Sequence, residues 1–264
     1  MKGIKLLFTA ILASMLVFSC KKDDDNTTNP TTNNNTAKVS LHLTDGPADY
    51  DAIYIDIQSV EVTMEGSSAV TLTPVRPGVY DLLQLRNGLD TLLLVANLPA
   101  GKISQIRLIL GNNNSIVVDG QGYPLSTPSA QESGVKLNLK ETLVAGGAYD
   151  IWLDFDAGKS IVETGNGKYK LKPVIRAYSA LTDGRIKGYV LPFGAFITVY
   201  AINGVDTFAA IPNAIDGFYV FTGLPSGNYQ VYFDAAAITY VDTTVNVQVN
   251  YGSEVNLGTT ILHQ

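Results

Sequence analysis

Residues 53–62, IYIDIQSVEV, decide the fold of this chain because their apolar residues recur at every second position. This period is typical of a β-strand with one buried face. The three isoleucines share one phase, whereas Val60 and Val62 lie one residue out of step with them. An additional residue in the strand would return all five side chains to the same face. The pattern therefore predicts a β-bulge near Ser59.

The same alternation runs from Lys38 to Gln264, in segments rich in Val, Ile, Tyr and Thr that are separated by Gly, Pro, Asn and Asp. No window of a dozen residues has the spacing of a capped amphipathic helix. The region is long enough for two domains of about 100 to 150 residues each. We therefore predict an all-β fold of two tandem antiparallel β-sandwiches, over residues 38–180 and 184–264.

The N-terminus has the three parts of a secretory signal, namely a basic region, an apolar core and a small residue before the cleavage position. The apolar core is too short for a good transmembrane helix, which needs roughly 20 apolar residues. Cys20, the only cysteine, directly follows Ser19. This junction resembles bacterial lipoprotein signals, which implies a signal peptide over residues 1–19 and a lipid anchor on Cys20. An ordinary signal peptide or a short anchor, with an incidental cysteine, is the alternative.

Residues 20–37 contain the cysteine and an Asn/Thr-rich stretch, which predicts a disordered tether because it has too little apolar surface to bury. At its start, Lys22, Asp23 and Asp24 resemble the surface-export signal of lipoproteins in the Bacteroidota. The resemblance implies an outer-membrane, lipid-anchored protein that faces the cell surface. A solvated charge run without a role in export is the alternative.

The charge balance limits the partners that the chain can bind. Its 18 basic residues face 24 acidic ones, for a formal net charge of −6. Nucleic acids and anionic surfaces are recognised by clustered Lys and Arg, so the balance opposes both. With its single cysteine acylated, the mature chain has no disulfide, and its stability must come from packing.

The C-terminal part of the chain, from about Gly184, resembles the carboxypeptidase regulatory-like group of transthyretin-like β-sandwiches. The resemblance rests on residues 188–190 (GYV), 216–221 (DGFYVF) and 224–229 (LPSGNY). It implies a structural or ligand-presenting module, and the predicted fold is then of the transthyretin/Ig-like type. The likeness of such domains to starch-binding sandwiches implies no sugar site by itself.

The preceding part, from about Lys38 to Tyr178, resembles a family of bacterial lipoprotein domains of unknown function. The matching segments are residues 43–48 (LTDGPA), 81–88 (DLLQLRNG), 98–101 (LPAG), 105–108 (QIRL) and 171–176 (LKPVIR). Their order and spacing support the resemblance, which implies no activity because the family has none assigned.

The residues needed for catalysis are scarce. His42 and His263 are the only histidines, and a Ser-His-Asp or His-metal site would have to use one of them. The strand phase places His42 on the face opposite Leu41 and Leu43, toward the outside. We therefore expect no enzymatic activity. A carboxylate-based glycoside hydrolase is a third possibility, but no spacing in the chain indicates that two acids converge.

Residues 149–156, YDIWLDFD, contain the most suggestive local pattern. In a strand, Asp150, Trp152, Asp154 and Asp156 would share one face. An exposed indole stacks on a sugar ring while neighbouring acids accept its hydroxyl groups, so this face is a possible ligand-binding face for polysaccharide. The same acids offer oxygen ligands to Ca²⁺. In the alternative, Trp152 packs under a loop and the aspartates cap turns or pair with lysines.

A second acidic group surrounds the Gly46-Pro47 turn. Its members are Asp45, Asp49, Asp51 and Asp56. Their spacing does not match the calcium loop of helix–loop–helix proteins, so we predict a turn-capping role for Asp45 and leave Ca²⁺ as an alternative. No metal ligand and no required cofactor are predicted.

The predicted function is a non-enzymatic binding or adhesion module displayed on the cell surface, with polysaccharide or other surface proteins as partners and the membrane reached through the lipid anchor. The alternative is a fimbria-type structural subunit that polymerises by strand donation. Its donor would be the alternating C-terminal segment from Val255 to Leu262, since the tether is too polar.

The location is testable by adding trypsin to intact cells. If the chain faces the outside, trypsin is expected to remove the folded part from whole cells, because an exposed polar tether is a preferred site of proteolysis. Immunoblots before and after lysis measure the effect. Cleavage only after lysis would show that the protein faces the periplasm.

Overall fold

The computed structural model describes residues 35–127, 134–137, 139, 141–193, 197–235 and 240–264. The predicted lipidation and export residues, Cys20, Lys22, Asp23 and Asp24, lie outside these ranges, as does almost all of the predicted tether. None of the helices within the described ranges is long and apolar enough to cross a membrane.

The first sandwich is built from strands and two short helical turns. In chain order the strands are β1 (Thr36–Asp45), β2 (Ala52–Met64), β3 (Ala69–Leu72), β4 (Gly78–Asp81), β5 (Thr91–Pro99), β6 (Gly101–Leu110), β7 (Ser115–Val118), β8 (Gln121–Ser126), β9 (Val135–Leu137), β10 (Thr142–Leu143), β11 (Ala148–Phe155), β12 (Ile161–Thr164), β13 (Lys168–Leu171) and β14 (Ile175–Ser179). The turns are a 3-10 turn at Leu82–Leu85 and helix α1 at Ala157–Ser160.

Two sheets face each other in this sandwich. The smaller sheet has the order β14-β11-β1-β5. The larger has the order β10-β6-β2-β7-β8-β13-β12, with β3 and β4 also paired to β2, and β9 to β6. Alternate side chains of β1 and β11 point into the space between the sheets, including Leu43, Ile151 and Phe155. These residues are fully buried and form one continuous core with the apolar face of β2.

The predicted bulge in β2 is confirmed. Opposite β6, Ile57 pairs with Leu110 and Ser59 pairs with the next residue of the partner strand, so Gln58 is the inserted residue. The side chains of Ile53, Ile55, Ile57, Val60 and Val62 all lie in the core. Asp56 supports the irregular backbone, because its buried carboxylate accepts hydrogen bonds from the Asn113 backbone N–H at 3.1 Å and from the Gln58 side chain.

The second sandwich follows the same principle with fewer strands. They are β15 (Gly184–Leu191), β16 (Thr198–Asn203), β17 (Asp206–Ala210), β18 (Phe218–Leu224), β19 (Gly227–Asp234), β20 (Thr243–Val249) and β21 (Glu254–Ile261). One sheet has the order β18-β15-β21 and the other the order β17-β16-β19-β20. Buried aromatic residues, including Tyr219, Tyr229 and Phe233, fill the space between them in a core separate from the first.

The all-β prediction is therefore confirmed, with one refinement of strand direction. Most pairs are antiparallel, but β1 runs parallel to β11, β8 to β13, and β15 to β21. The β15–β21 pair bears on the fimbria-type alternative, because β21 lies in the segment expected to act as the donor strand. The C-terminal strand, β21, already hydrogen-bonds to β15 within its own sandwich.

The bulge gives a test of the register. Deleting Gln58 would turn either the isoleucines or Val60 and Val62 toward solvent, because a shift of one residue reverses every side chain. We expect a loss of more than about 4 kcal/mol of unfolding free energy, measured by urea denaturation. Gln58→Ala is the control and should cost about 1 kcal/mol, since it removes one side-chain hydrogen bond only. Equal stability of the two variants would contradict the assigned register.

Candidate functional site

The site lies where the outer face of the smaller sheet of the first sandwich meets the second sandwich. Strands β1 and β11 run parallel and end side by side, at Asp45 and Phe155. Strand β14 runs in the opposite direction and places Arg176 beside Asp154. Polar residues from distant parts of the sequence therefore meet at one edge of the sheet.

Arg176 joins the two sandwiches. Its guanidinium pairs with the carboxylate of Asp154 and donates a hydrogen bond to the carbonyl oxygen of Gly223, at 3.1 Å. It also lies 4.5 Å from the centre of the Phe208 ring, on strand β17 of the second sandwich. One side chain thus makes an ion pair within its own sandwich and a hydrogen bond and a cation–π contact across the interface.

Tyr178, two residues further along β14, makes a second contact with the other sandwich. Its hydroxyl donates to the hydroxyl of Thr222 at 2.9 Å. Gly223 has a φ of +64°, and a Cβ there would overlap the Tyr178 ring. A glycine at this position is what lets the second sandwich approach so closely.

The indole of Trp152 is the central ring of a stack. His42 lies on one side, with a centroid distance of 5.0 Å, and Tyr178 on the other, at 5.7 Å. The three residues are cross-strand neighbours on β1, β11 and β14. Both faces of the indole are covered by the chain's own rings, so a sugar would have to displace one of them to stack there.

Asp90 closes this stack from a loop. Its carboxylate accepts a hydrogen bond from Trp152 Nε1 at 2.9 Å, and its other oxygen lies 3.0 Å from His42 Nδ1. Asp150 lies on the opposite side of the imidazole, with an oxygen 3.5 Å from Nε2. His42 is on the face opposite Leu41 and Leu43, as predicted, with 19% of its side chain exposed.

The predicted ligand-binding face is assembled only in part. Asp150, Trp152 and Asp154 do share a face of β11, but they differ in environment. Asp150 is exposed, whereas Asp154 is buried against Arg176. Burial raises the pKa of Asp154, and the adjacent guanidinium opposes that shift.

Asp156, the fourth residue of the predicted face, lies beyond the strand. It caps α1 by accepting a hydrogen bond from the Lys159 backbone N–H at 3.0 Å, and it pairs with the Lys159 ammonium at 2.8 Å.

Asp45 is the most unusual acid of the site. One carboxylate oxygen, Oδ1, accepts a hydrogen bond from the Ala157 backbone N–H at 3.1 Å. The other, Oδ2, is buried without a hydrogen-bond partner among the described residues. Burial raises the pKa of Asp45 to about 9, with further increases from the nearby charges of Asp154 and Asp156. This carboxyl group is therefore protonated at neutral pH.

The acidic group predicted around the Gly46-Pro47 turn does not form one site. Asp51 accepts from the Gly120 backbone N–H at 2.7 Å, Asp56 supports the bulge, and Asp49 is exposed. Asp45 does accept a backbone N–H, but from α1 and not from its own turn. Across the described ranges, no three His, Cys, Asp or Glu side chains are grouped so as to hold a metal ion.

Two cavities flank the contact made by Arg176 and Tyr178. The first, here named the cleft, has a volume of about 480 Å³ and is lined by both sandwiches. Its ionisable lining residues are Asp45, Asp154, Asp156, Lys159, Arg176 and Asp206. The second has a volume of about 500 Å³ and lies beside Trp152, Tyr178 and Asp90.

Residues 36–173 match a family described as a domain of unknown function, DUF4382. The chain belongs to this family. The matched region contains Asp45, Asp90 and Trp152, and it ends just before Arg176 and Tyr178. The prediction of a domain of unknown function in the first sandwich is thus confirmed. No curated protein matches the chain at a significant level.

Three solved structures show remote similarity to the chain. The TIE protein of Bacillus anthracis is 14% identical over 86% of this chain and 35% of its own, with a TM-score of 0.24. BcpA, the major pilin subunit of Bacillus cereus, is 9% identical over 86% of this chain and 70% of its own, with a TM-score of 0.23. A fimbrial protein from Bacteroides ovatus is 8% identical over 87% of this chain and 51% of its own, also with a TM-score of 0.23.

The chain therefore spans about a third of the length of the first of these proteins. TM-scores this low support no inference about fold or function.

Sequence patterns missed three residues of the site. Asp90 follows the Asn87-Gly88 turn and has no regular period to place it. Arg176 and Tyr178 alternate along β14, which marks them as sharing a face. That alternation indicates an outward face, but it does not show that another sandwich covers it.

The raised pKa of Asp45 gives a test of the buried carboxyl group. Its folded pKa lies above the unfolded value of 3.8, so its contribution to stability is complete below about pH 4 and is lost as pH rises toward 9. Asp45→Asn replaces the titrating carboxyl group with a neutral amide. We expect the variant to gain up to about 1.4 kcal/mol relative to wild type for each pH unit in that window, measured by urea unfolding at about pH 4, 6 and 8. A difference that stays constant with pH would contradict a protonated Asp45.

Proposed function

We propose that the chain is a non-enzymatic binding module whose ligand site is the cleft between its two sandwiches. The observation that supports this most strongly is the contact made by Arg176, which reaches from Asp154 to Gly223 and Phe208. It holds the two walls of the cleft in one arrangement. A preorganised site loses less conformational freedom when a ligand binds.

The position and size of the cleft agree with a ligand site. Small-molecule sites occur preferentially at interfaces between domains and have volumes of about 300–1,000 Å³. The cleft, of about 480 Å³, lies within that range and mixes apolar wall residues such as Val220 and Phe221 with convergent polar groups. The carboxylates that line it are acceptors that suit a hydroxyl-rich ligand such as a polysaccharide segment.

The fixed positions of the acids favour binding over hydrolysis. Asp154 is paired with Arg176, and Asp156 with Lys159. Glycoside hydrolysis by this pair would need one free carboxylate and one protonated acid on either side of a sugar bond. Carboxylates that are paired with cations stabilise the structure of the cleft and are poorly suited to proton transfer.

The anchor and the second sandwich complete the proposal. Cys20, once acylated, would attach the chain to the outer membrane, and Lys22, Asp23 and Asp24 would direct it to the cell surface. The second sandwich would then act as a ligand-presenting module of the carboxypeptidase regulatory-like type. In this arrangement it contributes one wall of the cleft.

A fimbria-type subunit is less well supported. Strand donation needs a free apolar strand, and the segment expected to serve is β21. That strand pairs with β15 along its length, from the Arg185–Glu254 pair to the Leu191–Ile261 pair. Donating it to another subunit would open its own sandwich.

Filling the cleft tests the proposal. Thr207 is exposed on β17 and lines the cleft, so Thr207→Trp places an indole in the ligand space while leaving the strand intact. The full chain in detergent is run through affinity gels that contain amylopectin, xylan, mucin or chitosan. We expect wild type to be retarded by at least one gel and Thr207→Trp to lose about tenfold or more in affinity for it.

Thr244→Trp is the matched control, because Thr244 is exposed on β20 of the same sheet and does not line the cleft. It should retain wild-type retardation. Retardation that survives Thr207→Trp would place the ligand elsewhere, and no retardation in any gel would count against polysaccharide as the ligand.

A further inference from the structure

Asp45 lines the cleft, and one of its carboxyl oxygens has no hydrogen-bond partner in the described part of the chain. Asp45 is 5% exposed, and among the described residues nothing donates to its Oδ2. A buried polar atom without a partner is destabilising, because it has lost the hydrogen bond that water would provide. The neighbouring acids do not share this deficit, since Asp154 and Asp156 each have a cation of the chain beside them.

We propose that the cleft binds the primary ammonium group of its ligand, with Asp45 Oδ2 accepting a hydrogen bond from it. The proposal rests on the cleft being the ligand site and names the chemical class of that ligand. A lysine side chain and an amino sugar both present such a group. An ammonium has three donors and a full positive charge, which a carboxylate oxygen in a low-dielectric site binds strongly.

The charges around Asp45 favour a cation. Asp154 on β11 and Asp156 before α1 are the acids close enough to act on it, and Asp206 lies on the opposite wall of the cleft. The cations facing the same region are Arg86, Lys159 and Arg176. Lys159 and Arg176 are already paired with Asp156 and Asp154. When Asp45 is ionised, the four acids of this region outnumber its three cations by one, and the ammonium of the ligand would balance that charge.

A metal ion fits this position less well than an ammonium. Metal ions such as Ca²⁺ need six to eight oxygen ligands, and no group of three acidic or histidine ligands exists in the described part of the chain. One unpartnered carboxylate oxygen is enough to accept a hydrogen bond from an ammonium.

Binding of the ammonium should be coupled to loss of a proton. With no ligand the buried carboxyl group of Asp45 is neutral, because its pKa is about 9. The ammonium stabilises the carboxylate, so one proton passes from Asp45 to solvent for each ligand bound. Affinity should then increase about tenfold for each pH unit between about 6 and 8.

The experiment uses the full chain in detergent with EDTA present, so that divalent ions cannot account for binding. The probes are a five-residue peptide with one lysine between alanines, blocked at both ends, and a glucosamine hexamer. Each is compared with its N-acetylated form, which keeps the shape and removes the charge. Isothermal titration calorimetry measures affinity, and the lysine peptide alone is used for the pH series because its charge is constant there.

Asp45→Asn is the test variant and Asp49→Asn the matched control. Asn keeps an oxygen to accept from the Ala157 N–H and resembles the protonated carboxyl group, so the fold should be retained. We expect Asp45→Asn to lower the affinity for the ammonium probe by about tenfold or more and to abolish its pH dependence. Asp49 is exposed and does not line the cleft, so its variant should change affinity by less than about threefold.

Binding of either ammonium probe, with none of its acetylated form, supports the proposal and identifies the source of the amine. Equal binding of the acetylated form, or an affinity that falls as pH rises, would overturn it. Absence of binding by both ammonium probes also overturns it. The affinity gels separate this failure from failure of the proposed function. If wild type is retarded by a neutral polysaccharide and Thr207→Trp is not, the cleft is a binding site and only the proposed ammonium ligand is wrong.

Discussion

The guanidinium of Arg176 is the group on which the relation between the two sandwiches depends. It neutralises buried Asp154, donates to the Gly223 carbonyl and lies over the Phe208 ring. Removing one member of a buried ion pair typically costs about 3–5 kcal/mol, because the remaining charge keeps its desolvation penalty. Loss of Arg176 would also remove two contacts across the interface. A single residue thus couples the stability of the first sandwich to the position of the second.

The parallel pairing of β1 with β11 explains why acids gather at this edge. Antiparallel neighbours would end at opposite edges of the sheet, whereas β1 and β11 end together and bring Asp45 beside the residues that follow Phe155. Asp45 and Ala157, whose backbone N–H it accepts, are 112 residues apart in sequence. The repulsion among the three carboxyl groups is reduced in three ways. The Arg176 guanidinium pairs with Asp154, the Lys159 ammonium pairs with Asp156, and Asp45 carries a proton.

The stack around Trp152 shows which features strand alternation predicts and which it does not. Alternation correctly placed Trp152 and Asp154 on one face of β11 and His42 on the outer face of β1. It could not show that His42 and Tyr178 would lie against the two faces of the indole, because cross-strand neighbours depend on pairing and register. The position of Asp90 could not be predicted from strand alternation either. It lies in a loop, where no period relates a side chain to a surface.

Sequence alone predicted the all-β fold, a bulge near Ser59 that the structure places at Gln58, and the inner or outer face of alternating strand residues. These properties follow from backbone geometry within a few residues, since successive side chains of a strand point in opposite directions. Only the tertiary structure decided which outer face would be covered, and therefore that Asp154 is buried with Arg176 while Asp45 keeps an unpartnered oxygen. Those outcomes depend on contacts between segments that are 22 to 112 residues apart in sequence, and no local pattern records them.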